Sequence, residues 1–341
     1  MKQTKRNSAW HFAVFVAFPW FLPSAQVASA ETQIAIAHKV VSPDVLPVWI
    51  AHEQGIFKKH KVEARIFLQV GGGVDHLFSG ETQFSYHGIP ATMLQVLRGK
   101  DLKILAPFHI GRISSLLIAR PEIKKPEQLR GKRFGVFGIG TGFWIQAMLA
   151  LEQLGLEPKR DAISFKAVGN QLKMVQALEA GEIDAVMLDP AQAGQLRTKG
   201  YVVLLDMYPA NVSASQNALT VTGAYVQEHP EVVEQVLTAL LEGMAFSLAP
   251  SNKRIVLSTL MKHMQITDPA AAESGYESFL RNVNRKPYPS LERMRDMQRV
   301  MALHEPKVLN LRLEAMIEDR FVRKLDESGV IDRLYSTYGV K

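Results

Sequence analysis

The order of segments predicts an α/β protein whose mainly parallel sheets are covered by helices, and two observations predict it. Between Glu31 and Asp206, short β-branched and aromatic runs alternate with amphipathic helical segments, each bounded by Gly or Pro. That alternation folds as strands joined by helical crossovers. From about Glu228 onward the chain reads as helix after helix with no convincing strand, so these segments must pack on sheets already made. Residues 31–341 are too many for one ordinary core and suggest two domains of roughly 100–200 residues each.

The elements follow in order. Gln33–Ala37 reads as a strand, Asp44–Gln54 as a helix ending at Gly55, and Val62–Leu68 as a strand of alternating polarity. Gly71-Gly72-Gly73 leads into a short helix, Val74–Ser79, followed by strand Gln83–His87, helix Pro90–Leu97 and strand Leu102–Pro107. Ser115–Ala119 begins a second series. It continues with strand Arg133–Phe137, a turn Gly138–Gly142, helix Phe143–Leu154 and strand Ile163–Val168. Helix Gln171–Ala180 has Asn170 at its N-cap, and strand Ala185–Leu188, helix Pro190–Lys199 and strand Val202–Asp206 complete the series. Beyond it, Pro230–Leu248, Lys253–Met264, Pro269–Val283, Ser290–His304 and Leu311–Ser328 read as helices.

The first thirty residues read as a cleavable secretory signal. Lys2, Lys5 and Arg6 precede the apolar run Ala9–Leu22, and Val27-Ala28-Ser29-Ala30 offers small residues for cleavage before Glu31. The run is 14 residues long and contains His11 and Pro19, whereas a membrane-spanning helix needs about 20 apolar residues. An exported, periplasmic protein is therefore expected. Without residues 1–30 the net charge falls from +7 to +4, because only those three basic residues leave. No long basic run remains, which argues against nucleic acid as a partner. A weakly positive balance is compatible with an anionic small ligand.

The chain has no cysteine. Disulfides, thiolate zinc sites, cysteine nucleophiles and lipid attachment through cysteine are excluded. There is no Gly-x-Ser-x-Gly elbow and no Walker lysine–serine pair. His52-Glu53 starts like a zinc-protease motif, but Ile56 stands where its second histidine belongs. No catalytic residue, metal or cofactor is expected.

The glycine turns carry more content. Gly138–Gly142 lies between a strand and a helix, yet Phe143 occupies the position a dinucleotide fingerprint fills with glycine or alanine. Its N–H groups can still donate to an oxyanion at the helix start, or the glycines can serve tight packing. Gly71–Gly73 is the same device in the first series. Ser42-Pro43-Asp44 opens a helix, so Ser42 can be a cap or a ligand contact. His87, His109 and Asp189 stand at strand ends, where open α/β sheets bind ligands; packing or capping is the alternative for each. Tyr86, Phe143 and Trp144 could cover an apolar part of a ligand, though core is the better assignment for Trp144.

Leu46–Val62 (LPVWIAHEQGIFKKHKV) resembles the opening of solute-binding proteins of the nitrate, taurine and sulfonate ABC-uptake family. The resemblance continues through Gly71–Gly73, Leu77–Glu81, Lys124–Gly135 (KKPEQLRGKRFG), Leu178–Asp189 (LEAGEIDAVMLD) and Arg320–Gly329. It implies a two-lobed, type II periplasmic-binding fold in which the chain crosses twice. Residues 31–118 plus 219–341 would form lobe one, with the extra C-terminal helices, and 119–218 lobe two. It further implies capture of a small solute, of sulfonate, nitrate or carboxylate type, between hinged lobes. The partner would be an inner-membrane ABC permease, and the chain a monomer. The family's ligand positions fall on Ser42, Leu46, Gly72, Gly73, Val74, Tyr86, His87, Gly88, His109, Arg112, Gly140, Thr141, Gly142, Phe143, Asn170 and Asp189. Ligand identity does not carry over, because these loops vary among members. The alternatives are a binding protein for thiamine-pyrimidine precursors, or a pyrimidine-synthase-like enzyme, whose cysteine-rich iron motif this chain lacks.

Overall fold

Short apolar runs make the strands, and their burial shows why. β1 (Thr32–His38) buries five consecutive residues from Ile34, which is the pattern of a strand covered on both faces. The computed structural model describes Met1 and residues 31–69, 74–110, 113–209 and 217–340. The expected signal segment, apart from Met1, lies outside the described residues.

β1 pairs in parallel with β2 (Val62–Leu68) and β3 (Phe84–Gly88). β4 (Leu102–Ala106) is an edge, and the sheet order is β2-β1-β3-β10-β4, where β10 is Asn217–Thr222. A second five-stranded sheet contains β5 (Leu116–Ala119), β6 (Arg133–Val136), β7 (Ser164–Ala167), β8 (Ala185–Leu188) and β9 (Val202–Asp206), in the order β7-β6-β8-β5-β9. The α/β prediction holds, and four strands of each sheet run the same way.

In each sheet one strand departs from the parallel arrangement that the alternation implies. β10 runs antiparallel between β3 and β4, and β5 runs antiparallel between β8 and β9. Neither follows a helix: β5 comes directly after β4, and β10 directly after β9. Parallel neighbours need a long crossover, whereas an antiparallel strand needs only a connection. β10 was not legible as a strand at all, since NALTVT carries little apolar alternation.

The C-terminal helices cover the first sheet. Pro230–Leu248 lies so close to Leu46–Glu53 that a Cβ at Gly243 would sit 2.5 Å from the Pro47 carbonyl oxygen. Beside it Glu242 is fully buried, and it accepts from Lys59 Nζ at 2.6 Å and from the Tyr338 hydroxyl at 2.7 Å. The expected helix Leu311–Ser328 is instead broken into a 3-10 turn, Leu313–Met316, and a helix, Arg320–Glu327. The break has a cause: Ile317 bridges Ile104, and Glu318 N–H donates to Ile104 O at 3.0 Å, covering the exposed edge of β4. A further helix, Val330–Thr337, starts after Gly329.

Two large apolar clusters hold the unit. The first joins β1, Leu46–Glu53 and Pro230–Leu248. The second contains residues of both sheets, with Met294, Met297 and Met301 of helix Leu291–Met301 packed among Ile104, Leu117 and Trp144. Flexible thioethers suit a helix that must fit two differently oriented surfaces. Trp144 is a core residue, its ring against Phe165 and His304. Among the described residues no single helix is long and apolar enough to cross a membrane.

Candidate functional site at the strand ends

A polar residue placed just past the carboxyl end of a β-strand faces the crevice between sheets, because the following helix turns the chain back. Five strands of this chain end in such residues. β1 is followed by Lys39, Val40, Ser42 and Asp44; β3 ends at His87 and Gly88; β4 is followed by His109. β6 leads through Phe137 to Thr141, Gly142 and Phe143, and β8 to Asp189. β10 is antiparallel and therefore presents its first residue, Asn217, at the same end. Together these residues, with Ala91 and Gln146, line one cavity of about 70 Å³.

Its groups carry both signs of charge. One is Lys39, buried to 8 % exposure, whose ammonium pKa is lowered by desolvation to about 8, against the pull of Asp75. The first turn of helix Gly142–Gln153 also faces the cavity. No side chain caps it: Thr141 Oγ1 donates back to Gly138 O at 2.6 Å. An uncapped helix start offers N–H groups and partial positive charge. Gly140 makes this turn at φ +80, a conformation that a residue with a Cβ adopts only with strain.

Asp44 and Asp189 are the acidic groups of the lining. Asp189 accepts from Gln171 Nε2 at 2.6 Å and from Ser115 Oγ at 3.4 Å. Burial and then the repulsion of Asp44 push its pKa up to about 7, and those two hydrogen bonds oppose the rise. Asp44 Oδ2 lies 3.5 Å from His109 Nε2. That nitrogen accepts from the Asn217 N–H at 2.8 Å, so the ring is neutral and holds its proton on Nδ1. Burial lowers the His109 pKa, in keeping with this. A smaller space of about 30 Å³ adjoins, sharing Asp44, His109, Gln146 and Asp189 and adding Ser278 and Asn282.

The family model described as NMT1/THI5 like matches residues 42–252, which include most of these strand ends. The chain belongs to this family. No curated protein matches it. Among solved structures, a protein of Bordetella bronchiseptica RB50 is 17% identical with a TM-score of 0.73, over 88% of this chain and 98% of that one. The ligand-binding component of an ABC-type import system from Staphylococcus aureus, solved with zinc bound, is 12% identical with a TM-score of 0.70, over 86% and 98%. The alkanesulfonate-binding protein SsuA of Xanthomonas axonopodis pv. citri, bound to MOPS, is 16% identical with a TM-score of 0.67, over 86% and 100%. The fold of this NMT1/THI5-like chain is that of periplasmic binding proteins.

Within the NMT1/THI5-like chain, Ser42, His87, Gly88, His109, Thr141, Gly142, Phe143 and Asp189 are brought together around the cavity. Neither Ser42 nor Asp189 caps its helix with its side chain. Ser42 Oγ, buried, has no hydrogen-bond partner among the described residues. His87 lines the wall, but both nitrogens are taken, Nδ1 by Ser85 Oγ at 3.0 Å and Nε2 by Thr92 Oγ1 at 2.9 Å. Burial first, then Lys39, lowers its pKa to about 3, so it presents a neutral ring to the cavity.

Five expected positions do not line the cavity. Leu46 belongs to the core under β1, and Val74 packs with Leu77 and Leu102. Tyr86 is fully buried against Phe108. Gly140 faces Leu94 and His304. Asn170 caps its helix by accepting from Lys173 N–H at 3.1 Å, and Asn170→Ala is expected to lower stability by about 1 kcal/mol in a denaturant melt. Gly72, Gly73 and Arg112 lie outside the described residues. Sequence reasoning overlooked Lys39, Gln146 and Asn217, and weighed Asp44 only as part of a helix start. Lys39 stands directly after a strand, a usable signal; Asn217 depends on β10 and Gln146 on helix phase, and neither gave one.

Proposed function

We propose that this chain is the periplasmic solute-capturing component of an ABC importer, and that the strand-end cavity is where the solute sits. One observation carries the reading: residues from the ends of both sheets line one cavity of about 70 Å³, among them Ser42, whose buried hydroxyl has no partner among the described residues. A buried polar atom without a partner costs about 1–3 kcal/mol, which a ligand group can recover. The named neighbours that bind ligands for import share the fold.

In this reading, residues 31–118 with 219–341 and residues 119–218 act as two lobes. A solute that touches the strand ends of both favours the state in which they are together, which is the differential affinity a hinge requires. The closed form would then dock on an inner-membrane permease, and the N-terminal residues would direct export.

The test is a thermal-shift screen of residues 31–341 against nitrate, bicarbonate, alkanesulfonates, carboxylates and small amines, repeated on Ala91→Leu. Ala91 lines the cavity from a helix, so leucine there fills the space without opposing the backbone. A solute at 100 times its Kd adds about 2.7 kcal/mol, a shift of a few degrees. The shift is expected in the wild type and lost in Ala91→Leu; an equal shift in both would contradict the placement.

A further inference from the structure

The hydrogen-bonding capacity of the cavity wall is unequal. Asp44, Asp189 and Gln146 all present oxygen acceptors to the same space. Gln146 Oε1 has no partner among the described residues, and neither has Oδ1 of Asn282, a residue 3 % exposed that lines the adjoining space. Asp189 has no cationic partner among the described residues; its bonds come from the neutral Gln171 and Ser115. The ring of His109 cannot donate to Asp44 from Nε2, because that nitrogen accepts from Asn217.

Two adjacent carboxyl groups in a partly desolvated space cannot both stay ionised without a positive partner. Among the described residues Lys39 is the cationic side chain in this lining and no ion pair joins it to either carboxyl, so a proton kept on one of them or an entering cation supplies the remaining charge. The unpartnered acceptors select between ways of supplying that charge. A group bearing several N–H donors satisfies Asp44, Asp189 and Gln146 together, whereas a sulfonate or nitrate would face acceptors with acceptors. Donors for an anionic group are also present, at Lys39, the Ser42 hydroxyl and the uncapped start of helix Gly142–Gln153.

We infer that the solute carries a protonated nitrogen head, an ammonium or amidinium group, seated between Asp44, Asp189 and Gln146, with any acceptor end directed toward Lys39 and Thr141. This rests on the cavity being the solute site. It differs from the sulfonate, nitrate or carboxylate type of solute that the sequence resemblance puts first.

Proton counting tests the head group directly. A cation seated on Asp189 draws out its proton, and because the carboxyl pKa is about 7, about half a proton leaves per binding event at pH 7. An anion in the same place raises the pKa and takes protons up. Calorimetric titrations at pH 7, in two buffers of different ionisation enthalpy, would use ethanolammonium, acetamidinium and β-alanine against propionate, methanesulfonate and nitrate. The nitrogen-headed probes are expected to bind with proton release. In Asp189→Asn the affinity falls about tenfold or more and the release disappears, while the melting curve shows the variant folded. Proton uptake on binding a simple anion, with that binding abolished in Ala91→Leu, overturns the inference and leaves solute capture standing. Nitrogen-headed probes that bind Asp189→Asn as tightly as wild type also overturn it. Binding that persists in Ala91→Leu counts against the cavity itself.

Discussion

Asp189→Asn is expected to stabilise the unliganded protein above pH 7 and to leave it unchanged near pH 4. The Asp189 carboxyl has a pKa of about 7 in the folded chain against an ordinary 3.8. A raised folded-state pKa contributes stability at low pH and loses it as pH climbs through the folded value, because the unfolded chain ionises first. Across that interval the wild type therefore loses at most about 4 kcal/mol, since each tenfold difference in proton affinity between the folded and unfolded chain is worth about 1.4 kcal/mol. Asparagine keeps an oxygen for Gln171 but has no proton to lose, so the variant lacks this slope. Melting curves of both proteins from pH 4 to 8 should converge at the acid end and diverge above neutrality. Parallel curves would show that Asp189 titrates as an ordinary carboxylate and that Asp44 and burial do not act on it as described.

Gly243→Val should destabilise the protein severely, and Gly243→Ala by about 1–3 kcal/mol. Helix Pro230–Leu248 crosses helix Leu46–Glu53 at this glycine. An added Cβ would lie 2.5 Å from Pro47 O, 3.1 Å from Ala51 Cβ and 3.3 Å from Ala51 N. The obstacle is backbone, which cannot rotate away, so the gain of about 1 kcal/mol in helix propensity for alanine is outweighed. Gly275→Ala is the control: its nearest neighbours are the Ala191 and Pro43 side chains at 3.1 and 3.6 Å, and denaturant melts should show a smaller loss there. Because Leu46–Glu53 follows directly on Ser42 and Asp44, loosening this contact also displaces one wall of the cavity.

The parts legible in the sequence were those fixed by local chemistry. β1, β2, β6 and β8 are continuous or alternating apolar runs, and the helical turns after β1, β6 and β8 open with Pro or Gly, so their limits fell within a residue or two of expectation. Ser42, Asp189 and the Gly138–Gly142 turn could be singled out because strand-end position alone places a residue near the crevice. What escaped was decided at long range. β10 is a strand because two edges flank it, not because NALTVT is strongly strand-forming. Leu311–Ser328 breaks because β4 offers an edge to Ile317.

The site followed the same division. Ser42 could be a cap or a contact on sequence grounds, and the geometry leaves its hydroxyl unused by the helix. His87 could be a contact or a packed residue on sequence grounds, and Ser85 and Thr92 occupy both its nitrogens, the first two residues away on the same strand and the second on the next helix. The pairing of Asp44 with Asp189 joins residues from different sheets, and no spacing rule brings them together.

The most direct measurement is a crystal structure of residues 31–341 grown with whichever solute produces a thermal shift. The account predicts its density in the strand-end cavity, within hydrogen-bond distance of Ser42 Oγ and the Asp189 carboxyl. Density in the groove lined by Arg197, Tyr208 and Arg281 instead, with the strand-end cavity unchanged, would contradict it.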